Sequence, residues 1–179
     1  MSTRDLVLVA LFAAIIAALG FIPRIDVVPF IPVTAQSLGV MLAGCVLGWK
    51  RGGLAVLLYM VLLGLGLPRL AGVFGIGAFY APTTGYLLAW PVGAAVTGWL
   101  VEKWWDRLNW PLAFLAAIAG GISIVYVGGI AWLTLWTGKP LLAMIGVNLA
   151  FIPGDLIKAG IAAAVAVYLK RTYPLAQPA

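Results

Sequence analysis

Five stretches of this chain run without a single charged side chain, each about as long as a bilayer is thick: Leu6 to Pro23, Val27 to Trp49, Gly52 to Pro68, Leu70 to Val101 and Leu108 to Gly138. A sixth, from Pro140 onward, is broken only by Asp155 and Lys158 before Lys170 is reached. A spanning helix needs roughly 20 apolar residues, with about 17 as the usual minimum. Hydrocarbon offers no hydrogen-bond partner, so only helices and closed barrels cross it. Barrel strands alternate polar and apolar positions over about 10 residues, and these continuous apolar runs do not. The chain therefore reads as an all-α integral membrane protein. Composition agrees: 64% of its residues are hydrophobic and 9% charged, with a mean hydropathy of +1.13, against roughly 25% charged in a soluble domain. The first span follows Arg4 as a signal peptide would, but further spans follow it and no cleavage motif with a polar mature start appears. It is read as a retained helix.

The net charge of +6 points to topology here, with no nucleic-acid partner implied. Arg4, Lys50, Arg51, Lys103, Arg107, Lys170 and Arg171 fall at the N-terminus, the second and fourth connections and the C-terminus, while Arg24, Arg69 and Lys139 fall at the other three connections. Cytoplasmic loops carry the excess of lysine and arginine, which places both termini in the cytoplasm with six crossings between them. Trp104, Trp105 and Trp110 fit an interfacial belt on the cytoplasmic side, and Trp132 and Trp136 fit the opposite one. The connections are short and no repeat or low-complexity segment occurs, so residues 1–179 read as one membrane domain. The sequence has no histidine and one cysteine, Cys45. The commonest metal ligand and general base is thus missing, and an intrachain disulfide is impossible. No paired carboxylates or activated nucleophile are visible, so an enzyme is not expected.

Small residues recur every fourth position on the first span, at Ala10, Ala14 and Ala18, a shallow face that admits another helix closely. The first and third connections are apolar yet full of breakers. Pro23, Pro29 and Pro32 stand in one; Pro68, Pro82 and five glycines from Gly66 to Gly85 stand in the other. Irregular backbone at membrane depth must be buried in protein or line a cavity, so these loops are expected to fold over one end of the bundle or to rest at its interface.

An ionised group at mid-bilayer costs roughly 2.5–3.5 kcal/mol on insertion scales, so Asp155 and Lys158 require an explanation. Three residues apart, they share a helix face, and Asn148 lies two turns earlier on nearly the same face. Pro153 is expected to kink the helix just above them. The pair either neutralises itself or faces a ligand. A self-cancelling pair is replaceable by apolar residues without loss, so a ligand site is the stronger reading. A carboxylate and an ammonium among apolar and aromatic neighbours suit a small amphipathic ligand carrying N–H groups and an acid.

The segments PVTAQSLGVMLAG (Pro32 to Gly44), GLP followed by a glycine-rich loop and PTTGYLLAW (Gly66 to Trp90), and FIPGDLIK (Phe151 to Lys158) resemble the BioY family, the biotin-binding S components of energy-coupling factor (ECF) vitamin transporters. The resemblance covers nearly the whole chain. It implies a six-helix S-component bundle in the bacterial cytoplasmic (inner) membrane, with biotin as the transported ligand, no cofactor, and the vitamin held beneath the first and third loops. By that likeness Asp155 accepts the ureido N–H groups, Lys158 holds a polar group of the ligand or orients Asp155, and Thr34, Gln36, Pro82, Thr83, Gly85 and Tyr86 line or close the pocket. Asn148 joins them through its place on the Asp155 face. Ala81 and Thr84 stand where the family's third loop commonly has glycines. Ala10, Ala14 and Ala18 match the surface that docks on a coupling subunit, which works with two ATPase subunits; a solitary homo-oligomer is the other arrangement known for the family. No GxxxxGK[ST] loop occurs, so an ATP-driven cycle must borrow its ATPase. The other functions considered are an S component for a different vitamin and a secondary transporter cycling a proton on Asp155.

Overall fold

The computed structural model describes residues 1–28, 31–67, 69–70 and 73–173. Its helices are α1 (Thr3–Leu19), α2 (Gln36–Leu47), α3 (Trp49–Gly64), α4 (Thr84–Lys103), α5 (Trp110–Ala117), α6 (Val125–Thr137), α7 (Leu141–Leu149) and α8 (Ile152–Thr172). Three of these tracts are long and apolar enough to cross a membrane: α4, the continuous run Trp110–Thr137, and α8. The expectation of a purely helical chain needs one amendment. The first and third connections form two-stranded antiparallel ribbons, β1 (Ile25–Val28) with β2 (Ile31–Val33), and β3 (Arg69–Leu70) with β4 (Val73–Phe74). The ribbons satisfy backbone groups that the prolines and glycines of these segments keep out of a helix. Pro29, Pro68 and Gly72, three of those breakers, lie outside the described residues.

Local chemistry accounts for several helix ends. Ser2 and Asp5 form a reciprocal capping box on α1, Asp5 N donating to Ser2 Oγ at 3.2 Å and Ser2 N to Asp5 Oδ2 at 2.9 Å. Asn109 Oδ1 caps α5 by accepting from Leu112 N at 3.1 Å. Gly48, at φ +82°, turns α2 directly into α3, a backbone conformation that a Cβ would strain. The uncharged run from Val27 to Trp49 thus holds a ribbon and a 12-residue helix rather than one long span.

The final segment departs most from its reading. It is two helices, broken at Ala150 and Phe151, and Pro153 stands in the first turn of α8 rather than kinking a helix interior. A proline there loses nothing, because its missing N–H would have had no intrahelical acceptor. Asn148 and Asp155 consequently belong to different helices, and the shared-face argument does not hold for them.

Helix α4 lies at the centre, against α2, α3, α6 and the segment joining α5 to α6. That joining segment, Ile118–Ile124, is a π-helical turn, which inserts extra residues and rotates α6 relative to α5. Gly120 within it meets Gly93 and Thr97 of α4 so closely that a Cβ would collide with backbone. Ala113, Ala116 and Ala117 of α5 pack with Ala159, Ala162, Ala163 and Ala166 of α8. These small side chains let two helices approach without the hydrophobic drive that water supplies to a soluble core.

Candidate functional site

The helices α2, α4 and α8 begin at one end of the bundle, and between their first turns and the start of α6 lies a pocket. Its walls are Pro32, Val33, Thr34, Ser37, Thr83, Tyr86, Leu87, Trp90, Gly121, Val125, Tyr126, Phe151, Asp155 and Lys158. Four aromatic rings and a few convergent polar groups make the usual lining of a small-molecule site.

Asp155 and Lys158 meet on one face of α8. Asp155 Oδ1 accepts from Lys158 Nζ at 2.9 Å, and Asp155 Oδ2 accepts from Tyr126 Oη at 2.7 Å. The ammonium also donates to Thr34 O at 2.8 Å and to Ser37 Oγ at 2.9 Å, so all three of its donors are used. The lysine therefore ties α8 to the start of α2 across more than a hundred residues of sequence, while the carboxylate keeps lone pairs open for a ligand. The two readings of this pair are compatible: the charges neutralise each other, and the pocket lies beside them.

Of the residues singled out from the sequence, Asp155, Lys158, Thr34, Thr83 and Tyr86 border the pocket. The other four do not. Gln36 is fully buried and ties α2 to its neighbours, Nε2 donating to Tyr59 Oη at 2.7 Å and to Ile16 O at 3.4 Å. Gly85 lies where α4 crosses α6, so tightly against Trp132 and Gly128 that a side chain would not fit. Asn148 stands one layer behind the wall, its Oδ1 accepting from Tyr86 Oη at 2.7 Å and its Nδ2 donating to Met144 O at 2.8 Å. It aims Tyr86 instead of contacting the pocket. Pro82 precedes the lining residue Thr83 without joining the wall.

Ser37, Trp90 and Tyr126 border the pocket without having been singled out. Ser37 follows Gln36 in the first motif. Trp90 was legible, since Thr83, Tyr86, Leu87 and Trp90 recur at spacings of three and four and so share one face of α4. Tyr126 carries no such mark, being one aromatic in an uncharged run whose rotation is set by the π-helical turn. The third-loop departures also find a use: Thr84 Oγ1 donates to Ala81 O at 2.7 Å and Ala78 O at 3.2 Å, and Trp132 Nε1 donates to Ala81 O at 3.1 Å. Those bonds fasten the loop to α4 and α6. Ala10, Ala14 and Ala18 are all at least partly exposed, whereas Val9, Phe12, Ala13 and Ile16 form the buried side of α1. Among the described residues, packing within the chain leaves the alanine face uncovered.

The BioY family model matches residues 1–175. The chain belongs to the BioY family. Among BioY relatives, the biotin transporter BioY of Rhizobium etli is 48% identical, with 98% of this chain and 97% of that protein covered. The biotin transporter BioY of Rhodobacter capsulatus is 45% identical over 97% and 96%. Among solved structures, the crystal structure of the S-component for biotin from an ECF-type ABC transporter superposes with a TM-score of 0.87 at 32% identity, covering 96% of this chain and 95% of that one. The named BioY proteins are transporters, and the chain is not an enzyme.

Proposed function

We propose that the chain binds biotin in the pocket beside Asp155 and serves as the substrate-binding subunit of a vitamin transporter in a bacterial cytoplasmic membrane. The single domain of residues 1–179 crosses that membrane six times with both termini in the cytoplasm, a reading supported by the distribution of lysine and arginine along the sequence. The observation that carries the ligand assignment is the Asp155 carboxylate, held in a pocket of aromatic rings by Lys158 and Tyr126. Its open lone pairs accept the ureido N–H groups through charge-assisted bonds. Trp90, Tyr86 and Val125 offer apolar surface to the fused rings. Thr34 and Thr83, one from each side of the pocket, flank the ligand and link its arrival to the first and third connections. Asn148, Gln36, Gly85 and Pro82 act behind this wall, by holding Tyr86 and the helices in place.

Isothermal titration of the purified protein, without ATP, is expected to give tight one-to-one binding of biotin and none of thiamin or riboflavin. Millimolar affinity for biotin, or equal heats with all three, would return the site to a different vitamin. A proton-cycling role for Asp155 has less support, because both of its carboxylate oxygens already accept fixed donors, Oδ1 from Lys158 Nζ at 2.9 Å and Oδ2 from Tyr126 Oη at 2.7 Å.

The exposed alanine face of α1 is the surface on which a coupling subunit would dock, itself joined to two ATPase subunits; self-association is the competing use in a solitary protein. Replacing Ala10 and Ala14 together by Trp is expected to leave biotin affinity within about twofold, since surface changes usually shift free energies by less than about 0.5 kcal/mol, while abolishing co-purification with a coupling subunit. Undiminished co-purification would assign that face to lipid.

A further inference from the structure

Helix α7 forms an outer layer over one side of the pocket. Its Met144 and Val147 pack with Val33, Tyr86, Tyr126 and Phe151, all of which wall the pocket. Yet the helix is held lightly. It has nine residues, and α6 is its main neighbour. Met144 and Asn148, one turn apart, are its buried side chains, while Leu141, Leu142, Ala143, Ile145, Gly146 and Leu149 are exposed. In a bilayer those exposed apolar groups gain nothing by folding back onto protein, since lipid is as apolar as they are. Polar contacts fasten the helix to α6 and α4. Thr137 Oγ1 at the end of α6 lies 3.7 Å from Met144 Sδ, and Asn148 Oδ1 accepts from Tyr86 Oη at 2.7 Å. Both ends are jointed. Gly138, between α6 and α7, holds φ +66° with nothing within 4 Å of where a Cβ would stand, and Gly154, beyond the Ala150–Phe151 break, is equally unobstructed. Pro153 carries no N–H to bond back across that break. A segment with few buried contacts and free joints opens locally with little free energy.

We propose that α7 is the gate of the pocket: it swings on Gly138 and on the Ala150–Phe151 break, and the Tyr86–Asn148 hydrogen bond latches it shut. The identity of what passes rests on the reading that biotin binds beside Asp155; the movement rests on the packing of α7 alone. Swinging α7 outward takes Met144 and Val147 off the back of Tyr86 and Phe151, which frees those two rings to turn aside and opens a path into the pocket from that flank. When α7 is closed, Asn148 holds the Tyr86 ring in the wall, so one hydrogen bond both completes the site and governs passage through it. A latch of this kind acts on rates. It alters the open fraction, to which entry and exit are both proportional, and leaves affinity to the groups that touch the ligand.

Alkylation of a thiol placed at the buried position of Met144 reads the gate without any ligand. In Met144→Cys, reaction with N-ethylmaleimide is expected to be slow, and to speed up about fivefold when Asn148→Leu is added, the factor set by the net worth of one hydrogen bond. The parent protein, whose Cys45 is buried, supplies the background. Stopped-flow measurement of biotin binding then tests passage. Asn148→Leu should raise the association rate by a similar factor, whereas a residue that merely aims Tyr86 would change dissociation alone. Thr137→Cys with Met144→Cys, joined by a short bis-thiosulfonate, should slow association and dissociation by about tenfold or more, an effect reversed by dithiothreitol. Alkylation that ignores Asn148→Leu, or association rates untouched by that substitution or by the bridge, would overturn the gate and leave entry to the first and third connections. A protein that bound no biotin would refute the ligand assignment instead, with the alkylation rates still deciding whether α7 opens.

Discussion

Asp155→Asn is expected to weaken biotin binding by roughly 30- to 1000-fold, equivalent to about 2–4 kcal/mol, while the protein still folds and enters the membrane. The substitution keeps the shape of the side chain and one carbonyl acceptor but removes the negative charge. Ureido N–H groups then meet a neutral amide in place of a carboxylate, and bonds to an ionised acceptor are about twice as strong as neutral ones. The amide oxygen can also keep only one of the two donors, Lys158 Nζ on Oδ1 and Tyr126 Oη on Oδ2, that the carboxylate accepts from in the native protein, so the other loses its acceptor. Titration calorimetry measures the loss. An affinity unchanged within experimental error would mean that the carboxylate serves only to neutralise Lys158, and the ligand assignment would fall with it. A lowered melting temperature without loss of affinity would lead to the same conclusion.

The asymmetry between what could be read ahead of the structure and what could not follows from range. Apolar spans were legible because the bilayer imposes a length and forbids charge, a rule that acts on each segment separately. Asp155 and Lys158 were legible for the same reason, as exceptions to it. The break before α8 was not, because a proline after an apolar run suits a kinked interior and a first helical turn equally. What distinguishes them is where α7 ends, and α7 is fixed partly by Asn148 reaching Tyr86 across 62 positions. Gln36 shows the converse error. A polar residue in a pocket motif looks like a ligand contact, yet its amide serves Tyr59 and Ile16 inside the bundle. A buried polar side chain must find a partner somewhere, and the sequence does not say whether that partner is protein or vitamin. Tyr126 was invisible for a third reason. Its direction depends on the π-helical turn over residues 118–124, and nothing in the composition of IAGGISI other than its glycine pair marks a helix that will widen there.

Lys158→Met is the complementary experiment, and its largest effect is on stability. The lysine makes three hydrogen bonds, one to its carboxylate and two to the start of α2. Removing it leaves Asp155 a buried charge with no counter-ion, a loss of about 3–5 kcal/mol where one partner of a buried pair is deleted. The thermal midpoint is expected to drop by more than for Asp155→Asn, because the first connection loses its anchor to α8 as well as its charge partner. Combining the two changes separates the roles. With the carboxylate also replaced, no isolated charge remains, and removal of a buried pair as a whole is often close to neutral. The double variant should therefore recover most of the lost stability while binding biotin no more tightly than Asp155→Asn does, since the charged acceptor for the ureido group is gone. A thermal-shift series over the single and double variants, read beside biotin titrations, checks both halves. If the double variant bound biotin as tightly as the unmodified protein, the pair would be a structural neutralisation beside a pocket that recognises its ligand by other groups. If it stayed as unstable as Lys158→Met alone, the tie from Lys158 to Thr34 and Ser37, and not the ion pair, would be what holds this end of the bundle together.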